Sequence, residues 1–185
     1  MDADFDTAVL GLALPPAVEQ ALAEAAASRA DPVRATAALM RAQQLAPEHP
    51  AVLIAFYRHH FYGHRLRLAR DVARRVLAVG AQALGLPAAW REVPRRALTG
   101  ARHEARTRFY LFGLKGYAYL SLRLDDPVEA RDALAALRAL DPDDCVGGAL
   151  LEAVRQRAGR DEADDRPAEA HASGAAAWAR LAVAG

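Results

Sequence analysis

Apolar residues recur three and four positions apart along much of this chain. Leu66, Ala69, Val72, Ala73, Val76, Leu77 and Val79 keep largely to one helix face, because a turn takes 3.6 residues. The spacing predicts an unusually long helix over about 66–84, ended by Gly85-Leu86-Pro87. Further helices are predicted over about 15–29, 31–46, 51–62, 101–124, 128–140 and 145–158. Pro47-Glu48-His49-Pro50 separates the second from the third, and Gly63, tolerant of helix-end backbone, stops the third. Residues 88–100, with Trp90, Pro94 and Gly100, read as a loop holding one helical turn. Ala is abundant and β-branched residues are few, so the fold class is all-α.

One phrase occurs twice. Asp31-Pro32-Val33-Arg34-Ala35 opens a helix that runs to Leu45-Ala46-Pro47, and Asp126-Pro127-Val128-Glu129-Ala130 opens another that runs to Leu140-Asp141-Pro142. Pro in the first turn gives up an N–H that has no partner there anyway. A repeated helix-turn-helix unit cannot bury its apolar face alone, so repeats stack into a solenoid.

The spacing resembles that of tetratricopeptide repeats (TPRs), whose consensus is 34 residues long. With Pro16 at position one, Leu22, Ala23, Ala35, Leu39, Ala42 and Pro47 fall on consensus positions. With Leu111 at position one, Tyr117, Ala118, Ala130, Leu134, Leu137 and Pro142 do the same. A middle repeat from Pro50 matches at Phe56, Ala69 and Ala73. The resemblance implies three repeats over about 16–49, 50–87 and 101–144 within a TPR-like domain, 15–158. Residues 145–158 form a capping helix, and about 27 residues are inserted after the second repeat. Residues 1–14 are then an irregular lead-in, and 159–185 a mostly disordered acidic and Ala-rich tail. His64-Arg65-Leu66, Leu84-Gly85-Leu86-Pro87 and Arg108-Phe109-Tyr110-Leu111-Phe112 resemble a small bacterial TPR family associated with nitrogen-fixation gene neighbourhoods. That likeness implies an accessory or assembly role.

In TPR proteins the first helix of each pair lines a concave groove. The resemblance assigns that groove to Arg58, Phe61, Tyr62, Lys115, Tyr119 and Arg123, a basic and aromatic floor. Arg and Tyr often dominate binding energy once desolvated. The family's clamp for a terminal carboxylate uses Lys and Asn, and this chain has no Asn. An acidic, extended or helical segment of a partner protein is therefore the expected ligand.

Charge is uneven although the net value is only +1. From Arg58 to Arg108 there are twelve Arg against three acids, and from Asp125 to Glu169 thirteen acids against six Arg. The basic half suits an acidic partner. Arg91, Arg95, Arg96 and Arg102 form a candidate basic rim with Trp90 beside them. They support an alternative function, a nucleic-acid adaptor through residues 91–108; a chaperone for a secreted or assembling client is a third reading. Cys145 is the only cysteine, read as a small apolar residue at a helix start. His59, His60 and His64 lie close together without nearby Cys or carboxylate, so no metal or other cofactor is expected. Ser28, Ser121 and Ser173 lie in Ala- or Leu-rich contexts, and no Gly-rich phosphate loop occurs. Gly113 and Gly116 sit inside a predicted helix, where close helix packing accounts for them. The expectation is a non-enzymatic, cytoplasmic protein without a membrane span.

Overall fold

The computed structural model describes residues 13–164 apart from 99, 102 and 103. Seven α-helices occur among these residues: α1 (Pro16–Ala27), α2 (Pro32–Leu45), α3 (Pro50–Tyr62), α4 (Leu66–Leu84), α5 (Ala105–Arg123), α6 (Pro127–Leu140) and α7 (Ala149–Asp164). A short 3-10 turn spans Trp90–Glu92 between α4 and α5. The fold is all-helical, and α1/α2, α3/α4 and α5/α6 are successive helical pairs. The chain divides into two units, Met1–Ala153 and Val154–Gly185, and all three pairs lie in the first.

Local chemistry sets the helix ends. Asp31 accepts the N–H groups of Val33 and Arg34 at 3.1 Å each, and Asp126 accepts that of Glu129 at 3.4 Å. Both therefore cap helices that begin with Pro. Three helices end in one type of turn. The N–H of Arg65 bonds to the carbonyl of His60, Leu86 to Ala81 and Asp126 to Ser121, at 2.8–2.9 Å. The preceding residues His64, Gly85 and Asp125 have φ of 56°, 64° and 57°. This is the left-handed reversal that satisfies the last carbonyls of a helix. It stands at Gly85 as the sequence predicts. At the end of α3 it falls one residue later than expected, on His64, while Gly63 has φ −81°.

Other boundaries also move. The fifth helix starts at Ala105, not Ala101, because residues before it close turns such as Ala101 N–H to Leu98 O. The seventh starts at Ala149, not Cys145. Asp141 and Asp144 take the N–H groups of Cys145, Val146, Gly148 and Ala149, holding the segment as a turn. Cys145 is exposed there rather than packed. The last helix also continues beyond Ala158 to Asp164, so the first part of the expected tail is helical. The rest of that tail, and residues 1–12 of the expected lead-in, lie outside the described residues.

The core has two adjoining clusters, and α4 contributes to both. Val72 and Val76 join Val18, Leu39, Val52, Leu53, Phe56 and Phe109. Ala69, Ala73, Leu77 and Ala81 join Tyr110, Leu111, Leu114, Tyr117 and Leu134. In α1 the buried residues are Val18, Ala21 and Ala25, whereas Ala23, placed on a consensus core position, is exposed. An Ala gains little by burial, so the larger Val18 selects the inward face.

Helix α5 reaches this core through glycines. A Cβ at Gly113 would lie 2.7 Å from Val76 Cγ1, and one at Gly116 would lie 2.9 Å from the Tyr57 hydroxyl. A Cβ on Gly80 of α4 would meet Tyr110 at 3.2 Å. The expected close packing is present at both glycines of α5. Gly113→Ala should destabilise the protein by about 1–3 kcal/mol, since overpacking outweighs the roughly 1 kcal/mol gain in helix propensity. Val76→Ala in the same chain should recover part of that loss, read as positive coupling in urea unfolding. Independent, additive effects would show that the contact does not limit the packing.

Candidate partner-binding groove

Helix α3 carries Ile54, Tyr57, Arg58, Phe61 and Tyr62 on one face, at the spacing of successive turns. Helix α5 presents Phe112, Lys115, Gly116 and Tyr119 in the same way. Together with Ala73, Val76, Phe109, Gly113 and Leu151 they line a cavity of about 240 Å³. Five of the six residues assigned to the groove by sequence line it: Arg58, Phe61, Tyr62, Lys115 and Tyr119. The sixth, Arg123, touches it through Tyr119. Its guanidinium donates to the Tyr119 hydroxyl at 2.9 Å and lies 5.8 Å from the ring centre.

The aromatic floor is one connected set. Tyr57 stacks on Phe61 with centroids 5.8 Å apart and planes 9° from parallel. Phe61 meets Tyr62 edge-on at 5.4 Å and reaches across to Tyr119 at 5.8 Å. Such geometries add roughly 0.5–1.5 kcal/mol each beyond area burial. Tyr62 remains largely exposed, 70% of its surface being open to solvent. Burial pushes the Tyr57 hydroxyl well above its usual pKa, with Tyr119 and Tyr62 adding to the shift, so it stays protonated.

The cations are less simply arranged than the sequence suggests. Lys115 Nζ donates to the carbonyl of Val146 at 2.6 Å, tying α5 to the turn before α7. Arg108 lies over Phe112 at 6.0 Å. Among the described residues that line the cavity there is no Asp or Glu. Tyr57, Phe109 and Leu151 escaped the sequence reading. Tyr57 precedes Phe61 by one turn and could have been found by that spacing, but Leu151 lies on a different helix and had no such signal.

Of the arginines assigned to a basic rim, Arg91 is engaged within the molecule. Arg91 does not line the cavity. It pairs with Glu129 of α6, approaches Asp132 at 3.9 Å and covers Trp90 with its guanidinium 4.2 Å from the ring. Trp90 in turn packs 6.2 Å from Tyr117, whose hydroxyl donates to Glu129. Arg91 and Trp90 therefore clasp the inserted segment onto α6. Arg95 and Arg96 are exposed, and Arg102 lies outside the described residues.

His59 and His60 serve packing. His59 Nε2 is 3.0 Å from Thr36 Oγ1, joining α3 to α2. His60 packs on Phe56 at 5.8 Å. Burial, with the Arg65 charge added, lowers the pKa of both. Among the described residues no group of three His, Cys, Asp or Glu could hold a metal ion. Nor is any helix there long and apolar enough to cross a membrane.

No family model matches the chain, and no solved structure matches it. Over 150 residues it is 39% identical to a protein of Azotobacter chroococcum mcd 1 described as an uncharacterized 19.8 kDa protein in the nifW 5′ region. The match covers 80% of this chain and 84% of that protein. The chain belongs to the family of that protein. A match over 80% of this chain is long enough to include at least part of all three helical pairs of this family member.

The clasp in this family member has a pH signature. The hydrogen bond from Arg91, assisted by that from Tyr117, holds the Glu129 carboxyl below its ordinary range. Its contribution is complete above the unfolded-state pKa, roughly 4.3, and is lost as pH falls through the lower folded-state value. Glu129→Gln should therefore reduce stability by about 1 kcal/mol near neutrality and flatten the acid limb of the stability curve. Chemical denaturation between neutral and acid pH would check this; an unchanged acid limb would assign the dependence to other carboxylates.

Proposed function

We propose that this protein is a non-catalytic, TPR-like interaction module. It captures an acidic, extended or helical segment of a partner protein between α3 and α5, as an accessory or assembly factor linked to nitrogen fixation. The observation that carries this reading is the single cavity wall made by Arg58, Phe61, Tyr62, Lys115 and Tyr119. Residues from two first helices of consecutive pairs converge there, as a concave TPR groove requires. Tyr and Arg are apt for it because they offer large contact area and directional bonds at low entropy cost. The nitrogen-fixation link is supported by the name of the Azotobacter relative, a protein in the nifW 5′ region.

The nucleic-acid alternative loses two of its anchors in this arrangement. Trp90 is packed on Tyr117, and Arg91 is neutralised by Glu129. The cytoplasm is the compartment that fits an assembly role.

The test is affinity capture from the protein's own cells, grown on dinitrogen or on ammonium, with nuclease added, and mass spectrometry of the eluate. A defined protein should be retained under nitrogen-fixing conditions and survive nuclease. Arg58→Glu combined with Tyr62→Ala, both at the half-open wall, should weaken its capture at least roughly tenfold while circular dichroism stays unchanged. Equal capture by that variant would overturn the groove; loss on nuclease treatment would transfer the function to the Arg95–Arg96 segment.

A further inference from the structure

The cavity has the size and lining of a socket for one side chain. At about 240 Å³ it falls below the roughly 300–1,000 Å³ of sites that enclose drug-sized ligands. Its walls are Ile54, Val76, Phe109, Phe112 and the Tyr57–Phe61 stack, so its interior offers contact area and few polar atoms. The charged groups of the lining are all of one sign among the described residues. Arg58 and Lys115 are among the residues that line the cavity, Arg123 sits on Tyr119, and no acid is among the described lining residues.

These two features divide the labour of recognition. Lys115 already donates to the Val146 carbonyl, which makes it a poor centrepiece for gripping a terminal carboxylate. The apolar interior is where a ligand would remove most surface from water, and surface removed sets the gain. The cations around it favour negative charge on either side of whatever enters.

We propose that the partner segment is read by one bulky apolar side chain, aromatic or long aliphatic, that fills this cavity with carboxylates flanking it in sequence. The segment's C-terminal carboxylate is not required. This rests on the groove reading above and names the ligand chemistry that the groove selects.

The experiment uses the full chain and N-acetylated synthetic peptides of the form Glu-Glu-Xaa-Glu-Glu, with Xaa as Trp, Leu or Ala, each with a free or an amidated C-terminus. Binding is followed by changes in the protein's amide resonances. The Trp peptide should bind at least roughly tenfold more tightly than the Ala peptide, with Leu between them and amidation changing little. Ile54→Trp, which fills the cavity, should remove the preference for Trp over Ala. Ile54→Ala, which widens it, should keep that preference and guards against a folding defect in the first variant.

Equal binding of the Trp and Ala peptides would overturn the anchor while leaving an acidic-peptide groove. Binding abolished by amidation would replace the anchor with a terminal-carboxylate clamp. No binding by any peptide would overturn the anchor and the groove together. Self-association that disappears in Ile54→Trp would assign the cavity to a second copy of the chain. Binding gained only on removal of residues 165–185 would assign it to the chain's own C-terminal segment. Either result would overturn the proposal.

Discussion

The contact between Gly113 of α5 and Val76 of α4 governs much of what this protein can be. A missing Cβ lets a valine methyl occupy the space beside the α5 backbone, and the two longest helices lie together along their length. Helix α4 feeds one core with Val72 and Val76 and the other with Ala69, Ala73, Leu77 and Ala81. Small residues on one flank and branched ones on the other let a single helix serve two neighbours. Interiors are packed too densely for an extra methyl at such a crossing to pass unnoticed. The groove inherits that precision, because Val76, Ala73 and Gly113 are also part of its lining.

The insertion between α4 and α5 is held by a different kind of force. Trp90 supplies area, Arg91 covers it, and Glu129 receives both the guanidinium and the Tyr117 hydroxyl. An exposed ion pair alone contributes little. This one is half-sheltered and linked to an aromatic pair, so charge and packing reinforce each other. The basic excess of the middle of the chain is thereby partly spent inside the molecule. Arg70 likewise pairs with Asp126 across the α4–α6 gap at 3.0 Å. Long-range attraction between the basic and acidic stretches is realised as specific side-chain pairs.

In the groove the same economy applies. Its aromatic residues are fixed against one another, an arrangement that would lower the entropy offset by binding of the proposed partner. Tyr62 is the exception, being held edge-on to Phe61 yet open to solvent.

The linear order of residues was enough to determine the helical class, the positions of most helices and the capping by Asp31 and Asp126. These depend on interactions within a few residues: apolar spacing, Pro in the first turn, a carboxylate beside free N–H groups. It was also enough to nominate Arg58, Phe61, Tyr62, Lys115 and Tyr119, which line one cavity, because the resemblance to TPRs gives the first helix of each pair an inner face. What it could not determine were properties that exist only between distant segments. Arg91 pairs with Glu129 because thirty-eight residues of chain fold back to bring them together. Lys115 belongs partly to the Val146 carbonyl for the same reason. The left-handed residue after α3 is His64 because the carbonyl of His60 takes the N–H of Arg65, a geometry that glycine content alone does not locate. Side-chain identity is local, but a partner is chosen by packing, and only the tertiary structure decides that.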